Sequence, residues 1–209
     1  MFPARSLTTM KKTTLAIASL ALLASGAAVA QDFAAGTLLV RARAVHLDSA
    51  NKDSTGLNLS IDNKTLPEVD FTWFFSPNLA AELVLTVPQK QRVYAGSTQI
   101  GTLKHLPPTL TLQYHFNHAS GGIKPYVGAG LNYTRFSSVD LLGGAADLKR
   151  NSVGLAFQAG LDYPLAKNLY LNVDVKKVYI KTDVIAGGNN IGTFKVDPVL
   201  FGVGLGWRF

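Results

Sequence analysis

The sequence contains no cysteine, and only 16% of its 209 residues are charged, against about a quarter in typical soluble domains. The lack of cysteine excludes a disulfide scaffold and any site built on thiolates. Beyond residue 30, no run reaches the roughly 18 to 20 apolar residues of a membrane-spanning helix, which excludes a helical membrane protein for that part. Metal, cofactor and catalytic motifs are also missing, so we expect no enzyme, no metal and no cofactor. Basic residues do not cluster with aromatic ones, and nucleic acid is therefore not an expected partner.

Residues 1–30 have the three parts of a secretory signal. Lys11 and Lys12 precede an apolar run from Leu15 to Leu23, and small residues follow up to Ala28-Val29-Ala30. An Ala-x-Ala ending is typical of a cleavage site. We therefore predict a cleaved signal peptide over 1–30, with 1–9 as an upstream extension, and one domain over 31–209. Export of a cysteine-free chain fits the periplasm or outer membrane of a Gram-negative bacterium.

In the rest of the chain, apolar residues often alternate with polar or small ones at every second position, a pattern that indicates β-strands. The clearest case places Val153, Leu155 and Phe157 on one face, with Gly154 and Gln158 among the residues of the other. No segment of helix length shows a 3.6-residue pattern. We predict eight strands: Thr37–Asp48, Leu66–Phe75, Leu79–Val87, Pro108–Phe116, Lys124–Phe136, Ser152–Tyr163, Leu169–Thr182 and Lys195–Phe209.

The less apolar face of these strands carries mainly Gly and Ala with a few isolated charges, whereas a soluble sheet would show Lys, Glu and Thr to water. This pattern favours a narrow, closed lumen. The gaps between strands alternate between short and long, as in transmembrane barrels. We therefore predict an all-β fold, an eight-stranded antiparallel transmembrane β-barrel with short periplasmic turns and long extracellular loops.

Three segments carry a family resemblance. They are His105-Leu-Pro-Pro-Thr-Leu110, Lys124-Pro-Tyr-Val-Gly-Ala-Gly-Leu-Asn-Tyr-Thr134, and a last strand that follows Asp197-Pro198 and ends Trp207-Arg208-Phe209. The chain resembles the OmpW family of small outer-membrane barrels, which includes the AlkL-type importers of hydrocarbons, over essentially its whole predicted mature length. The resemblance implies a bacterial outer-membrane location among lipid and lipopolysaccharide. It also implies passive uptake of small apolar solutes through an apolar funnel, with a sideways exit because the lower lumen is closed. The terminal Phe209 is expected to be the signal that the barrel assembly machinery reads.

Three groups of residues are candidates for such a route. Apolar loop residues are expected to line the funnel: Leu57, Leu59, Tyr94, Leu103, Leu141 and Leu142. Prolines leave gaps in strand pairing, so those around one hairpin are expected to mark a lateral seam: Pro88, Pro107 and Pro108. Inward charges must pair in a narrow lumen and are expected to plug it: Arg41, Arg43, Glu82, His115, Asp162 and Arg208.

Each group also has a plainer explanation. Apolar loops can pack on one another, prolines are common at strand ends, and paired charges can simply hold the barrel together. The alternative function is therefore a structural or interaction barrel, a surface receptor or adhesion protein with a plugged lumen. The oligomeric state is left open by the sequence.

Overall fold

The computed structural model describes residues 32–116 and 122–209. The predicted signal peptide over 1–30 lies outside these residues. Within them, no helix has the length and apolar character needed to cross a membrane. The strands are β1 (Leu38–Asp48), β2 (Lys52–Asp53), β3 (Leu59–Ile61), β4 (Lys64–Phe74), β5 (Leu79–Thr86), β6 (Gln89–Ala95), β7 (Thr98–Leu106), β8 (Thr109–His115), β9 (Lys124–Leu141), β10 (Ala146–Leu148), β11 (Asn151–Ala166), β12 (Leu169–Val178), β13 (Lys181–Ala186), β14 (Asn189–Lys195) and β15 (Val199–Arg208).

Eight of these strands form a closed wall. The wall runs in the order β1, β4, β5, β8, β9, β11, β12, β15, and each neighbouring pair is antiparallel. The last strand, β15, pairs along its length with β1 and closes the barrel. The predicted eight-stranded antiparallel barrel is therefore confirmed.

The wall strands alternate as a lipid-facing barrel requires. Phe71, Leu112 and Val203 are exposed on the outside, whereas Asp70 and Thr111 are buried inside. Apolar side chains therefore face the hydrocarbon of the membrane, and polar side chains must find partners within the lumen. The short connections at 75–78 and 167–168 lie at the end of the barrel where β1 begins and β15 ends.

The predicted long loops are mostly additional strands, which corrects the sequence-based picture of the extracellular side. We call the seven strands β2, β3, β6, β7, β10, β13 and β14 the extension; they pair with one another and with the far end of β9. In β6, Gln89 and Gln91 are buried while Lys90 and Arg92 are exposed. Polar residues on both faces hide the alternation, so the sequence pattern missed this strand.

Candidate functional site: a layered lumen

An aromatic layer closes the periplasmic end of the barrel. Phe33 is buried and lies 4.4 Å from the ring of Phe74 and 5.5 Å from that of Tyr170, centroid to centroid. The Lys124 ammonium holds this segment in place, since it is 2.7 Å from Asp32 Oδ1 and 5.1 Å from the Phe33 ring centroid. The segment before β1 thus folds into the mouth of the barrel, a feature that the sequence-based site prediction did not include.

A buried ion network centred on Arg41 lies above the aromatic layer. Its guanidinium donates to Asp162 through two nitrogens at 3.0 and 2.7 Å, and to Asp70 Oδ1 at 3.0 Å. The Arg41 and Asp162 side chains are fully buried. Two parallel bonds to one carboxylate fix the guanidinium plane, so these strands are tied across the lumen.

A second arginine extends the network toward the extracellular side. The Nη2 atom of Arg43 lies 2.7 Å from an oxygen of Asp70, 3.0 Å from one of Glu68 and 3.2 Å from one of Glu82. Lys176 completes the group at 3.3 Å from Glu68. The network therefore blocks the middle of the lumen with paired charges.

The last strand provides the space for these side chains. Arg41 lies opposite Gly206 in the β1–β15 ladder, and a Cβ at Gly206 would lie 3.1 Å from Arg41 Cγ. That separation is tighter than an ordinary carbon–carbon contact. Inward glycine on β15 therefore lets the arginine side chain lie across the neighbouring strand.

Two residues predicted for the charge plug, His115 and Arg208, do not join the ion network and lie below it. His115 stacks on Tyr126 at 5.0 Å and is within hydrogen-bonding distance of Gln113 at 2.9 Å, so it belongs with the aromatic rings. Arg208 donates to Asn168 Oδ1 at 3.3 Å, at a periplasmic turn. Both residues are close to strand ends, where the lumen meets the periplasm. Arg41, Arg43, Glu82 and Asp162 do lie together.

A cavity of about 30 Å³ lies directly above the ion network. Glu68 and Lys176 form part of its floor, and Val178, Ile180 and His105 are among its other lining residues. Burial lowers the pKa of His105 to about 4, and the nearby Lys64 contributes in the same direction. The imidazole is therefore neutral at physiological pH, and it adds no charge to the cavity.

The interior of the extension is a packed apolar cluster. Of the predicted funnel residues, Leu59, Leu103 and Leu141 are buried in it. Tyr94 is half-buried, and its ring centroid lies 5.9 Å from the guanidinium carbon of the exposed Arg92. The structure does not bring Leu57 and Leu142 into this cluster, because both lie in turns and are 43% and 53% exposed. The cluster contains Leu59, Ile61, Val93, Leu103, Phe136, Leu141, Ala146, Leu148, Ala156, Val178, Ile180, Val184, Phe194 and Val196.

The three predicted seam prolines lie where strand pairing stops. The β5–β8 ladder ends at Val84 and Thr109, and the β6–β7 ladder begins only at Gln89 and His105. Residues 85–88 and 106–108 are therefore not paired across this hairpin. We call this unpaired stretch the seam.

One buried side chain of β9 holds the proline strand of the seam from the side away from β5. The Asn132 amide nitrogen lies 3.1 Å from the carbonyl oxygen of Pro107, 3.2 Å from that of Pro108 and 2.8 Å from Thr109 Oγ1. Thr134 in turn donates to Asn132 Oδ1 at 2.6 Å. Because proline lacks an amide hydrogen, neither Pro107 nor Pro108 can donate to β9. Their carbonyl oxygens accept bonds from the Asn132 side chain, and that of Pro108 also accepts one from the Tyr133 amide at 3.0 Å. The sequence prediction missed this role of Asn132, although the residue lies within a predicted strand that carries the family resemblance.

An apolar groove of about 290 Å³ lies on the outer surface at the same place. It is lined by Leu83, Pro108, Leu110, Leu131 and other residues, and it shares Thr109 and Asn132 with the inner cavity. Only these shared side chains and the adjoining backbone separate the lumen from the lipid-facing surface.

The closed wall, its apolar outer belt and its plugged lumen define a small transmembrane β-barrel of the bacterial outer membrane. The OmpW family profile matches residues 34–209, and the chain belongs to this family. It is 41% identical to an uncharacterized outer-membrane protein, y4mB, of Sinorhizobium fredii over 161 residues, 74% of this chain and 70% of that one.

Solved structures agree with this assignment. The crystal structure of outer membrane protein OprG from Pseudomonas aeruginosa aligns with a TM-score of 0.73 at 26% identity, over 85% of this chain and 98% of that one. The solid-state NMR structure of outer membrane protein AlkL in lipid bilayers aligns with a TM-score of 0.67 at 25% identity, over 86% and 92% of the two chains.

Proposed function

We propose that this protein is a passive conduit for small apolar molecules, which enter through the extension and leave sideways through the seam. The observation that carries the proposal is the pair of spaces on either side of Thr109 and Asn132, one in the lumen and one on the lipid-facing surface. The resemblance of the sequence to the AlkL-type importers of hydrocarbons supports the same class of solute, small apolar molecules.

The layers of the lumen favour a sideways exit over a vertical one. A solute that moves inward from the apolar cluster meets the ion network around Arg41 and Arg43, where an apolar molecule would have to separate buried charge pairs. An exit at the seam requires the displacement of the Asn132 bonds to Pro107 and Pro108 and of the bond from the Tyr133 amide to the Pro108 carbonyl. The lateral path therefore has the lower barrier for an apolar solute.

Two substitutions at the seam should change uptake in opposite directions. Asn132→Ala removes the side-chain bonds that hold Pro107 and Pro108 to β9, so it should loosen the edge of the seam and raise the rate of medium-chain alkane uptake by cells that lack other OmpW-type barrels. Pro107→Ala with Pro108→Ala restores two amide donors, which should allow the ladder to close and lower the rate. Pro164→Ala is the matched control, since Pro164 lies opposite Tyr170 near the periplasmic end of β11, away from the seam.

Uptake is compared at equal amounts of folded barrel, judged by heat-modifiable gel mobility. Unchanged uptake in both seam variants would contradict the lateral exit. If the wild-type protein itself gives no uptake, the alternative of an interaction barrel with a plugged lumen gains support. The tight packing of Leu59, Leu103 and Leu141 is the observation that favours this alternative.

A further inference from the structure

Three lysines form a row across neighbouring strands of the extension. Lys195 of β14 is the register partner of Lys181 in β13 on one side and of Lys52 in β2 on the other. All three are exposed. The surface ion pairs that the described part of the extension makes involve other cations, Arg92, Lys149 and Arg150. Like charges directly opposite each other destabilise a sheet, so an anion beside this row would stabilise it.

An apolar groove of about 380 Å³ lies next to this lysine row, on the outer surface of the barrel. Val153, Leu155, Phe157 and Tyr179 form its apolar part, and Lys181 and Lys195 belong to the same lining. The rings of Phe157 and Tyr179 meet edge to face, with their centroids 6.4 Å apart.

The groove exists because strand pairing becomes sparse there. The β11–β12 ladder stops at Ala156 and Val178. Beyond it, the Tyr179 amide donates to the Leu155 carbonyl at 2.9 Å and the Lys181 amide to Ser152 Oγ at 3.1 Å. The outer surface is therefore indented between β11 and the start of β13.

The one carboxylate in the lining of the groove has another partner. Asp197 Oδ1 accepts a hydrogen bond from the Ile180 amide at 2.9 Å. Its backbone carbonyl accepts one from Lys177 Nζ, whose ammonium also lies 5.7 Å from the Tyr179 ring centroid. Asp197 is thus tied to the backbone, and a further cation lies beside the groove.

We propose that this groove binds lipid A, the phosphorylated glycolipid of the outer leaflet. Its phosphates would contact Lys181 and Lys195, and an acyl chain would lie along Val153, Leu155 and Phe157. The order of the groups fits an amphiphile in the membrane: the apolar residues belong to the lipid-facing wall, and the lysines lie on its extracellular side. The occupant is a second kind of ligand for this barrel, independent of the solute that passes through the lumen.

Binding of purified bisphosphorylated lipid A to the full barrel in phosphatidylcholine nanodiscs tests this proposal, with native mass spectrometry as the readout. Lys181→Gln with Lys195→Gln should weaken binding by roughly tenfold or more, given the attraction expected for two lysines near an anionic group. Lys181→Arg with Lys195→Arg should restore it. Dephosphorylated lipid A should bind the wild type and the Gln variant alike.

The control removes the same charge at another lysine pair. Lys90 and Lys104 are register partners on β6 and β7, so Lys90→Gln with Lys104→Gln should leave most of the binding intact. Equal loss in the two Gln variants would overturn the proposal, since only the general charge of the rim would then matter. Inorganic phosphate that competes at the same concentration as lipid A would also overturn it, because the acyl groove would contribute nothing.

Discussion

At the scale of single residues, the packing of the lumen depends on which inward positions are glycine. A Cβ at Gly160 would lie 2.5 Å from the Tyr126 ring and 2.7 Å from the Val173 carbonyl oxygen, whereas one at Gly202 would have its nearest neighbours at 3.4 Å. The first position is closed to any side chain and the second has room for a methyl group. Both are inward glycines in the sequence, yet only one is sterically required.

This difference predicts unequal effects for the same substitution. Gly160→Ala should lower the free energy of unfolding by about 1–3 kcal/mol through overpacking. Gly202→Ala should leave it nearly unchanged. Urea unfolding in lipid vesicles, followed by the fluorescence of the two tryptophans, measures both. Equal stabilities of the two variants would show that the lumen is looser than described.

Arg41 should be among the most sensitive polar residues. Arg41→Met leaves Asp162 buried without the cation that pairs with it and leaves Asp70 with Arg43, and we expect a loss of about 3–5 kcal/mol in the same unfolding assay. Arg92→Met is the control, because its ion pair with Asp62 is exposed and should have little effect. A small loss for Arg41→Met would mean that the network relaxes or admits water.

At the scale of elements, the extension depends on a neutral His105. Its pKa of about 4 in the folded protein lies below the value of about 6.5 for an unperturbed histidine, so the unfolded form binds the proton first as the pH falls. The stability that the neutral ring provides is therefore present above pH 6.5 and is lost progressively between pH 6.5 and 4.

Hydrogen exchange of the β6–β7 hairpin, corrected for the intrinsic pH dependence, should show this loss. Protection should decrease between pH 6.5 and 4 in the wild type and change much less in His105→Gln. His46→Gln, at an exposed histidine of β1, should behave like the wild type. A pH response that persists in His105→Gln would assign it to another group.

The wall was predictable from the sequence and the extension was not, for one physical reason. Lipid outside and a crowded lumen inside impose strict alternation, as in Val153 and Leu155 against Gly154. Above the membrane, the outer face of the extension meets water, so its strands need not alternate strictly between apolar and polar residues. Which buried side chains meet within the lumen depends on the register of each strand. The alternation therefore predicts that Arg41, Asp162 and His115 face inward, but not that Asp162 contacts Arg41 or that His115 stacks on Tyr126.

At the scale of the whole molecule, the barrel is blocked at its periplasmic end, and its wall is thin between the inner cavity and the outer groove. Phe33 and the Arg41 network block the periplasmic end, while Asn132, Thr109 and the adjoining backbone separate the cavity from the outer groove. Such a barrel suits a solute whose destination is the membrane, since the lateral path from the cavity to the lipid requires no passage through water. It does not suit the diffusion of polar molecules.

Uptake of a medium-chain alkane by cells lacking other OmpW-type barrels, with and without this protein, tests that claim most directly. The comparison is made in strains with complete and with truncated lipopolysaccharide, at matched amounts of folded barrel. We expect the protein to increase uptake clearly when lipopolysaccharide is complete and much less when it is truncated, because the barrier that the conduit bypasses is then weakened. No increase in the strain with complete lipopolysaccharide would contradict the account.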